Sequence, residues 1–580
     1  MYRTRLLFAL TIALLAAPPA QAQTLADTNG TWYGTLAVPD IPPLRIVIEL
    51  YTRPSGVPGA EFISLDEGGN AIVITDISLE GNDLRLSTSR PNLLYTGQVD
   101  LEQNRIDGEL HISDTSVDLN LKRVDSVPNL PRPQLPHSPY PYSEEDVFYA
   151  GGADGVRLAG TLTLPAGTGP FPAVFLATGS GTQDRDETIA YHRPFRLLAD
   201  YLSRRGFAVL RSDDRGWGLS TGNSSPATTK DNTDDALAAV DYLRSRDDID
   251  PARVGIVGHS EGGMIASFAA TRDPELAFIV LLAGPGVSGQ QIMRRQRADI
   301  WRSNGLPETQ IQAMLAWFEE MHIEMLGEGS LARAGSRIHD RFTNLEPEHK
   351  TALGWDVNTL NQVLAQILTP WFREFLRFEP APVFAQIHIP VLALNGSKDI
   401  QVASEENLAG IKTGLQAAGN NDVTIVELPD LNHLFQHAET GAMYEYLNIA
   451  ETFSPEAMRI TSNWLRERAG LPPLDDTAVR EEQLTTQPQH LSLAQNYPNP
   501  FNGGTVISYA LETPGTTSLH VYNVAGQRVA TLVEGERPAG SYSLHWDARD
   551  DAGETLASGL YFYALRTPNG VQTRQMILLR

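Results

Sequence analysis

Apolar and polar positions alternate with period two over LRIVIEL (44–50), AIVITDISLEG (71–81), DLRLSTS (83–89) and VDLNLKRV (117–124). Period two buries one side of an extended chain and wets the other, which predicts short antiparallel strands. Turn formers such as Glu80-Gly81-Asn82-Asp83 separate these runs. Residues 24–125 are therefore expected to form a small all-β domain, a sandwich or a barrel. No acid/base pair or metal-ligand cluster stands out in it.

The dense prolines of VPNLPRPQLPHSPYPYSEEDV (127–147) predict an extended, semi-rigid linker over 126–144. From 145 to 470 the pattern changes. FPAVFLATG (171–179), FAVLRSDD (207–214), VGIVGHS (254–260), AFIVLLAG (277–284) and PVLALNG (390–396) are nearly continuous apolar runs, alternating with helix-length amphipathic stretches. Such runs predict a parallel sheet covered on both faces. Residues 287–378, rich in Gln, Arg, Glu, Met and Trp, are too long for one crossover and predict a helical insertion over the sheet. Residues 471–492 are polar and weakly patterned, as in a linker, and 493–580 return to β-type patterning with turn signals.

RVGIVGHSEGGMIASFAA (253–270) raises the question of chemistry. A G-x-S-x-G turn between a strand and a helix lifts its serine out of a sharp bend, with helix amides aimed at a developing oxyanion. Here VGIV leads in and GMIASFAATRD leads out, so Ser260 is the candidate nucleophile. Asp399, in the loop after PVLALNG, is the candidate acid. His433, in the loop after VTIVELP and 34 residues further on, is the candidate base. A serine hydroxyl needs a base to take its proton, and that base needs an acid to fix its tautomer. Asp430 is a rival acid but lies too close to His433 in sequence. His437 is a rival base, expected on the following helix. For the oxyanion, the amide of Glu261 is one expected donor. The second comes from ATGSGTQDRDE (177–187), with Ser180 as the choice. The Glu261 side chain could anchor a substrate amine or pair with Arg185 or Arg215.

Composition narrows the picture. MYRTRLLFALTIALLAAPPAQA has a basic start, a 12-residue apolar segment and an A-x-A site, the layout of a secretory signal over 1–22. Its removal moves the formal charge from −25 to −27, which argues against nucleic acid or an anionic membrane as partner. No membrane span is expected in the mature chain. With no cysteine, neither disulfides nor thiol chemistry can operate. No metal-ligand spacing or phosphate loop implies a cofactor.

The segments LAGTLTLP (158–165), TGSGTQDRDE (178–187), HRPFRLLADYLSRRGFAVLRSDDRGWGLSTG (192–222) and GIVGHSEGG (255–263) resemble exported bacterial α/β-hydrolases, esterases with a serine-aminopeptidase-like hydrolase domain. GTWYGTL (30–36) and the LKR near 121–123 resemble the small N-terminal β domain that these often carry. The resemblance implies an α/β-hydrolase fold with a helical insertion and a triad of Ser260, Asp399 and His433. It implies turnover of short acyl esters, with some peptidase-like relatives. Gln183, Asp184 and Arg185 match a loop motif of the group. Asp214 and Arg215 match another, for which ion pairing in a structural role is expected.

Asn496-Tyr497-Pro498-Asn499-Pro500-Phe501, Gly526, Trp546-Asp547 and Ser558-Gly559-Leu560-Tyr561 follow in order over the last 88 residues. Together they resemble the C-terminal sorting domain of the type IX secretion system, a small β-sandwich. That resemblance implies the secretion machinery as partner and a secreted or cell-surface destination through the periplasm. The resulting expectation is a secreted carboxylesterase acting on small-molecule esters. A peptidase or acyl-peptide hydrolase on the same triad is the first alternative, and a non-catalytic surface binding protein the second.

Overall fold

A computed structural model describes residues 24–580, apart from 39–41, 90–91, 113–114, 131, 137, 473–479, 485–490, 497–498, 500, 502–503 and 580. The signal-like stretch 1–22 lies outside the described residues, as do Tyr497, Pro498 and Pro500 of the C-terminal motif. The chain divides into two units, Met1–Phe62 with Ile74–Asp125, and Ile63–Val73 with Ser126–Arg580.

The first unit is built from antiparallel pairs. Gly30–Leu36 lies between Leu44–Thr52 and Leu121–Val124. Asp76–Glu80, Asp83–Ser89, Asn92–Asp100 and Arg105–Ile112 follow one another as a meander. The alternating apolar residues Trp32, Ile46, Ile48, Leu84, Leu86, Tyr95, Ile106 and Leu110 are buried. The run 71–81 is two strands rather than one, Ala71–Ile74 and Asp76–Glu80.

In the second unit, the apolar runs become an eight-stranded sheet. Its strands are β1 (Ser143–Ala150), β2 (Arg157–Leu164), β3 (Phe171–Ala177), β4 (Ala208–Ser212), β5 (Ile249–His259), β6 (Ile279–Leu282), β7 (Val391–Gly396) and β8 (Val423–Leu428). The order across the sheet is β1-β2-β4-β3-β5-β6-β7-β8. The pairs β1–β2 and β2–β4 are antiparallel, and every pair from β4–β3 to β7–β8 is parallel. Central strands β4, β6 and β7 are buried along their whole length, because helices cover both faces. Ala239, Val240 and Leu243 of Thr229–Arg244, Ile265 and Ala269 of Glu261–Arg272, and Ile411 and Leu415 of Ser404–Ala417 pack on one face. Phe195, Leu198 and Leu202 of Pro194–Ser203, with Trp464 and Leu465 of Pro455–Arg468, pack on the other.

Between β6 and β7, helices from Gly289 to Phe384 form the insertion. Its core of Met293, Trp317, Phe318, Met321, Phe372 and Phe375 closes on Met264, four residues after Ser260. The insertion therefore rests on the helix that follows the candidate nucleophile.

The proline-rich joint is pinned rather than free. Arg132 is buried and donates to the carbonyls of Ala190, Tyr191, Leu447 and Ile449. Gln134 Oε1 accepts the amides of Thr452 and Phe453. A guanidinium with several donors can order backbone that proline density alone only extends. At the other end, Arg480–Leu484, within the stretch read as a linker, pairs as a strand with Gly540–Trp546. An open sheet edge offers unpaired backbone groups that even a polar segment can satisfy. The C-terminal strands form two four-stranded sheets that share a core of Ile507, Tyr509, Leu519, Val521, Leu544, Trp546, Tyr563 and Leu565.

Candidate active site

The strand-to-helix turn after β5 is as tight as its glycines require. Ser260 has φ 54° and ψ −118°, a strained conformation for a residue with a side chain. A Cβ on Gly258 would stand 1.9 Å from the Gly262 oxygen, and one on Gly262 would stand 2.1 Å from the Ala177 oxygen at the end of β3. No larger residue fits at either position. The Ser260 amide donates to Leu282 O on β6 at 2.8 Å, and its carbonyl accepts from Gly263 N at 2.9 Å. The hydroxyl thus stands at the carboxyl end of the sheet, over the first turn of Glu261–Arg272.

Asp399 and His433 are brought together from the loops after β7 and β8. His433 Nδ1 lies 2.7 Å from Asp399 Oδ2, and both side chains are buried. The other oxygen, Asp399 Oδ1, accepts the amides of Gln401 and Val402 at 2.8 and 2.9 Å. With a carboxylate at Nδ1, that nitrogen carries the proton and Nε2 is left as a base. Asn432, fully buried, fixes the loop by accepting the amides of Leu434 and Gln436 at 3.0 Å each. His259 Nε2 donates to the His433 carbonyl at 2.9 Å, tying the loop of the base to the residue beside Ser260.

The rivals stand elsewhere. Asp430 is exposed and pairs with Lys398 at 2.9 Å. His437 pairs with Glu451 at 2.8 Å and lies in a loop, bridged to Leu431, rather than on a helix.

In the loop after β3, Ser180 is exposed and its amide has no acceptor among the described residues. The amide of Glu261 likewise has none. Gly179 is different, because its amide donates to Glu187 Oε1 at 2.6 Å. Asp214 holds this loop from below, accepting Thr178 Oγ1 at 3.0 Å and the Gln183 amide at 2.8 Å. Burial raises the Asp214 carboxyl well above its ordinary pKa, against those two bonds, and the neighbouring Glu261 charge raises it further.

The expected ion pairing therefore falls differently. Asp214 makes none among the described residues, and Arg215 pairs with Asp235 at 2.6 Å. Arg185 takes Asp213 in a two-pronged contact, at 2.9 and 2.7 Å. Asp184 Oδ1 accepts the Asp186 amide at 2.7 Å, closing a turn in the same loop.

Glu261 pairs with neither arginine. Its Oε1 accepts Thr229 Oγ1 at 2.7 Å and Trp371 Nε1 at 2.8 Å. Trp371 comes from the insertion and stacks on Phe375 with ring centroids 5.4 Å apart. Burial raises the Glu261 carboxyl above its usual pKa, partly offset by these two bonds. The sequence alone does not single out Glu187, His259, Asn432, Thr229 or Trp371. His259 stood in the elbow and Glu187 in the GTQDRDE stretch, but their contacts span long separations in the chain.

The sheet order, the sharp Ser260 turn and the Asp–His pair define an α/β-hydrolase-fold domain. The family described as X-Pro dipeptidyl-peptidase (S15 family) matches residues 154–411, and a FlgD Ig-like domain matches 496–570. The chain is 28% identical over 302 residues to Esterase EstD of Thermotoga maritima, covering 52% of this chain and 62% of that protein. It is 26% identical over 202 residues to the putative hydrolase YtaP of Bacillus subtilis, covering 31% of this chain and 63% of YtaP. The chain thus spans less than two thirds of each relative's length. Among solved structures, the Pyrococcus furiosus esterase Pf2001 matches with 16% identity and a TM-score of 0.34, over 60% of this chain and 100% of that one. By its family and curated matches the chain is similar to hydrolases, an esterase among them.

Proposed function

We propose that this protein is a secreted serine hydrolase, a carboxylesterase that cleaves short or medium acyl esters through an acyl-Ser260 intermediate. The observation that carries the reading is the buried Asp399–His433 pair, 2.7 Å apart, at the same carboxyl end of the sheet as the strained Ser260 turn. Ser260 Oγ attacks the acyl carbon while its proton passes to His433 Nε2. The carbonyl oxygen, now negative, takes hydrogen bonds from the amides of Glu261 and Ser180. The bond to the alcohol breaks as Nε2 returns the proton to it, and water then releases the acid by the same route in reverse. Asp399 keeps the imidazole in its working tautomer and stabilises the imidazolium. Similarity to EstD supports an ester substrate.

A peptidase reading draws on the S15 match. It needs a group to hold a substrate amine. Glu261 is the nearest acid in sequence, but Trp371 and Thr229 occupy its Oε1 and burial favours its neutral form. Turnover of a p-nitrophenyl ester series against an aminoacyl-anilide series, wild type beside Ser260→Ala, separates the readings. Ester turnover that collapses in Ser260→Ala sustains the esterase. Anilide turnover alone hands the site to the peptidase, and binding of esters without turnover to a non-catalytic module.

Export is part of the same proposal, from the signal-like residues 1–22 and the sorting-type sandwich 493–580. In a host with a type IX system, deleting 493–580 should leave the enzyme in the periplasm. Equal release with and without those residues would refute that role.

A further inference from the structure

Beside Ser260, the His259 ring is held between a backbone carbonyl oxygen, which only accepts, and a Glu187 carboxyl oxygen, which only accepts when ionised. Nδ1 lies 2.9 Å from Glu187 Oε1, and Nε2 lies 2.9 Å from the His433 carbonyl oxygen. A neutral imidazole has one N–H and satisfies only one of them. With Glu187 as a carboxylate, both bonds together make the ring an imidazolium and Glu187 its counter-ion. Both side chains are buried, His259 at 4% exposure and Glu187 at 1%.

Glu187 is an expensive residue. It sits at φ 51°, and its Oε2 is buried with no hydrogen-bond partner among the described residues. Each feature costs stability. A buried charge pair is in any case poor value for stability. What the arrangement achieves is connection. Glu187 Oε1 also accepts the Gly179 amide at 2.6 Å. One continuous line of bonds runs from Gly179, through Glu187 and His259, to the backbone of His433.

We propose that Glu187 and His259 are positioning residues, a buried ion pair that fixes the oxyanion-side loop and the loop of the base on either side of Ser260. With the Gly179 amide held by the carboxylate, the next one, of Ser180, is free to meet the substrate. With the His433 carbonyl held by the imidazolium, the ring of the base keeps its approach to Ser260. The titratable groups facing His259 are Glu187 from the loop after β3, Asp399 from the loop after β7 and the His433 ring from the loop after β8, its centroid 4.8 Å away. Burial alone would push the imidazole toward neutrality. Glu187 and the weaker pull of Asp399 reverse that, and His259 holds its proton above the usual histidine pKa.

The inference rests on Ser260 being the nucleophile, so its test has two independent readouts. The first is ring 15N NMR of the full chain at pH 8, assigned with His259→Gln. His259 should show two slowly exchanging ring N–H protons with imidazolium shifts, and Glu187→Gln should abolish them. The second is steady-state turnover of p-nitrophenyl butyrate. Glu187→Gln and His259→Gln should each lower kcat about tenfold or more with KM within about threefold, the signature of lost transition-state positioning. The double variant should be no worse than the worse single one, since both cut the same line. A neutral His259 in the wild type overturns the proposal. So does a folded Glu187→Gln with wild-type kcat, or losses that multiply in the double variant. If the wild type turns over no ester, the functional reading falls, and the ring protons alone decide whether the bridge exists.

Discussion

His433 and Asp399 meet at 2.7 Å although 34 residues separate them, and the second Asp399 oxygen is already committed to the amides of Gln401 and Val402. The carboxylate is therefore held by backbone as well as by the histidine, and the imidazole takes its orientation from it. Asp399→Asn keeps the shape but offers Nδ1 an amide, which favours the wrong tautomer. We expect kcat to fall by about three to four orders of magnitude, with the fold intact by circular dichroism.

Glu261 gives a pH-dependent prediction. Burial raises its folded pKa above that of the unfolded chain. The folded state then binds the proton more tightly, so this stabilisation is present below the unfolded carboxyl pKa and is lost as pH rises through the folded value. Glu261→Gln retains a carbonyl oxygen for Trp371 and Thr229 without the charge. Its melting temperature should exceed wild type at pH 8, and the gain should shrink toward pH 4. An unchanged difference across that range would contradict the assignment.

Trp371 links the insertion to the helix Glu261–Arg272 through its 2.8 Å bond to Glu261. Trp371→Phe keeps the stack on Phe375 and removes the donor. Leaving a buried acceptor short of a partner should cost about 1–3 kcal/mol, read by chemical denaturation. In the Glu261→Ala background the same change should cost clearly less, since the acceptor is already gone.

Gly262 is a steric requirement. A Cβ there meets the Ala177 carbonyl oxygen at 2.1 Å, and both are backbone-bound in the core. Gly262→Ala should destabilise by about 3 kcal/mol or more, or yield no soluble protein. Gly419→Ala, where a Cβ meets nothing within 4 Å, should be far milder despite its φ of 70°.

Some of this was legible in the chain and some was not. The sheet was readable because β4, β6 and β7 are buried on both sides, which leaves nearly unbroken apolar runs such as FAVL and VLAL. Ser260 and Asp399 could be named because each follows such a run, and His433 because it follows the edge strand β8 in the expected chain order. Arg132 was unreadable, since its partners at 190, 191, 447 and 449 are set by tertiary folding alone. The pairing of Glu187 with His259, 72 residues apart, leaves no periodic trace for the same reason. Glu261 looked like a partner for arginine, but Asp213 and Asp235 claim Arg185 and Arg215 first.

The most direct test of the account is where an active-site label lands. The full chain would be treated with a fluorophosphonate, digested, and mapped by mass spectrometry, with ester turnover followed in parallel. One adduct on Ser260 is expected, with loss of turnover in step with labelling and no adduct in Ser260→Ala. Ester hydrolysis that persists in Ser260→Ala, or a label on another residue that abolishes it, would contradict the account.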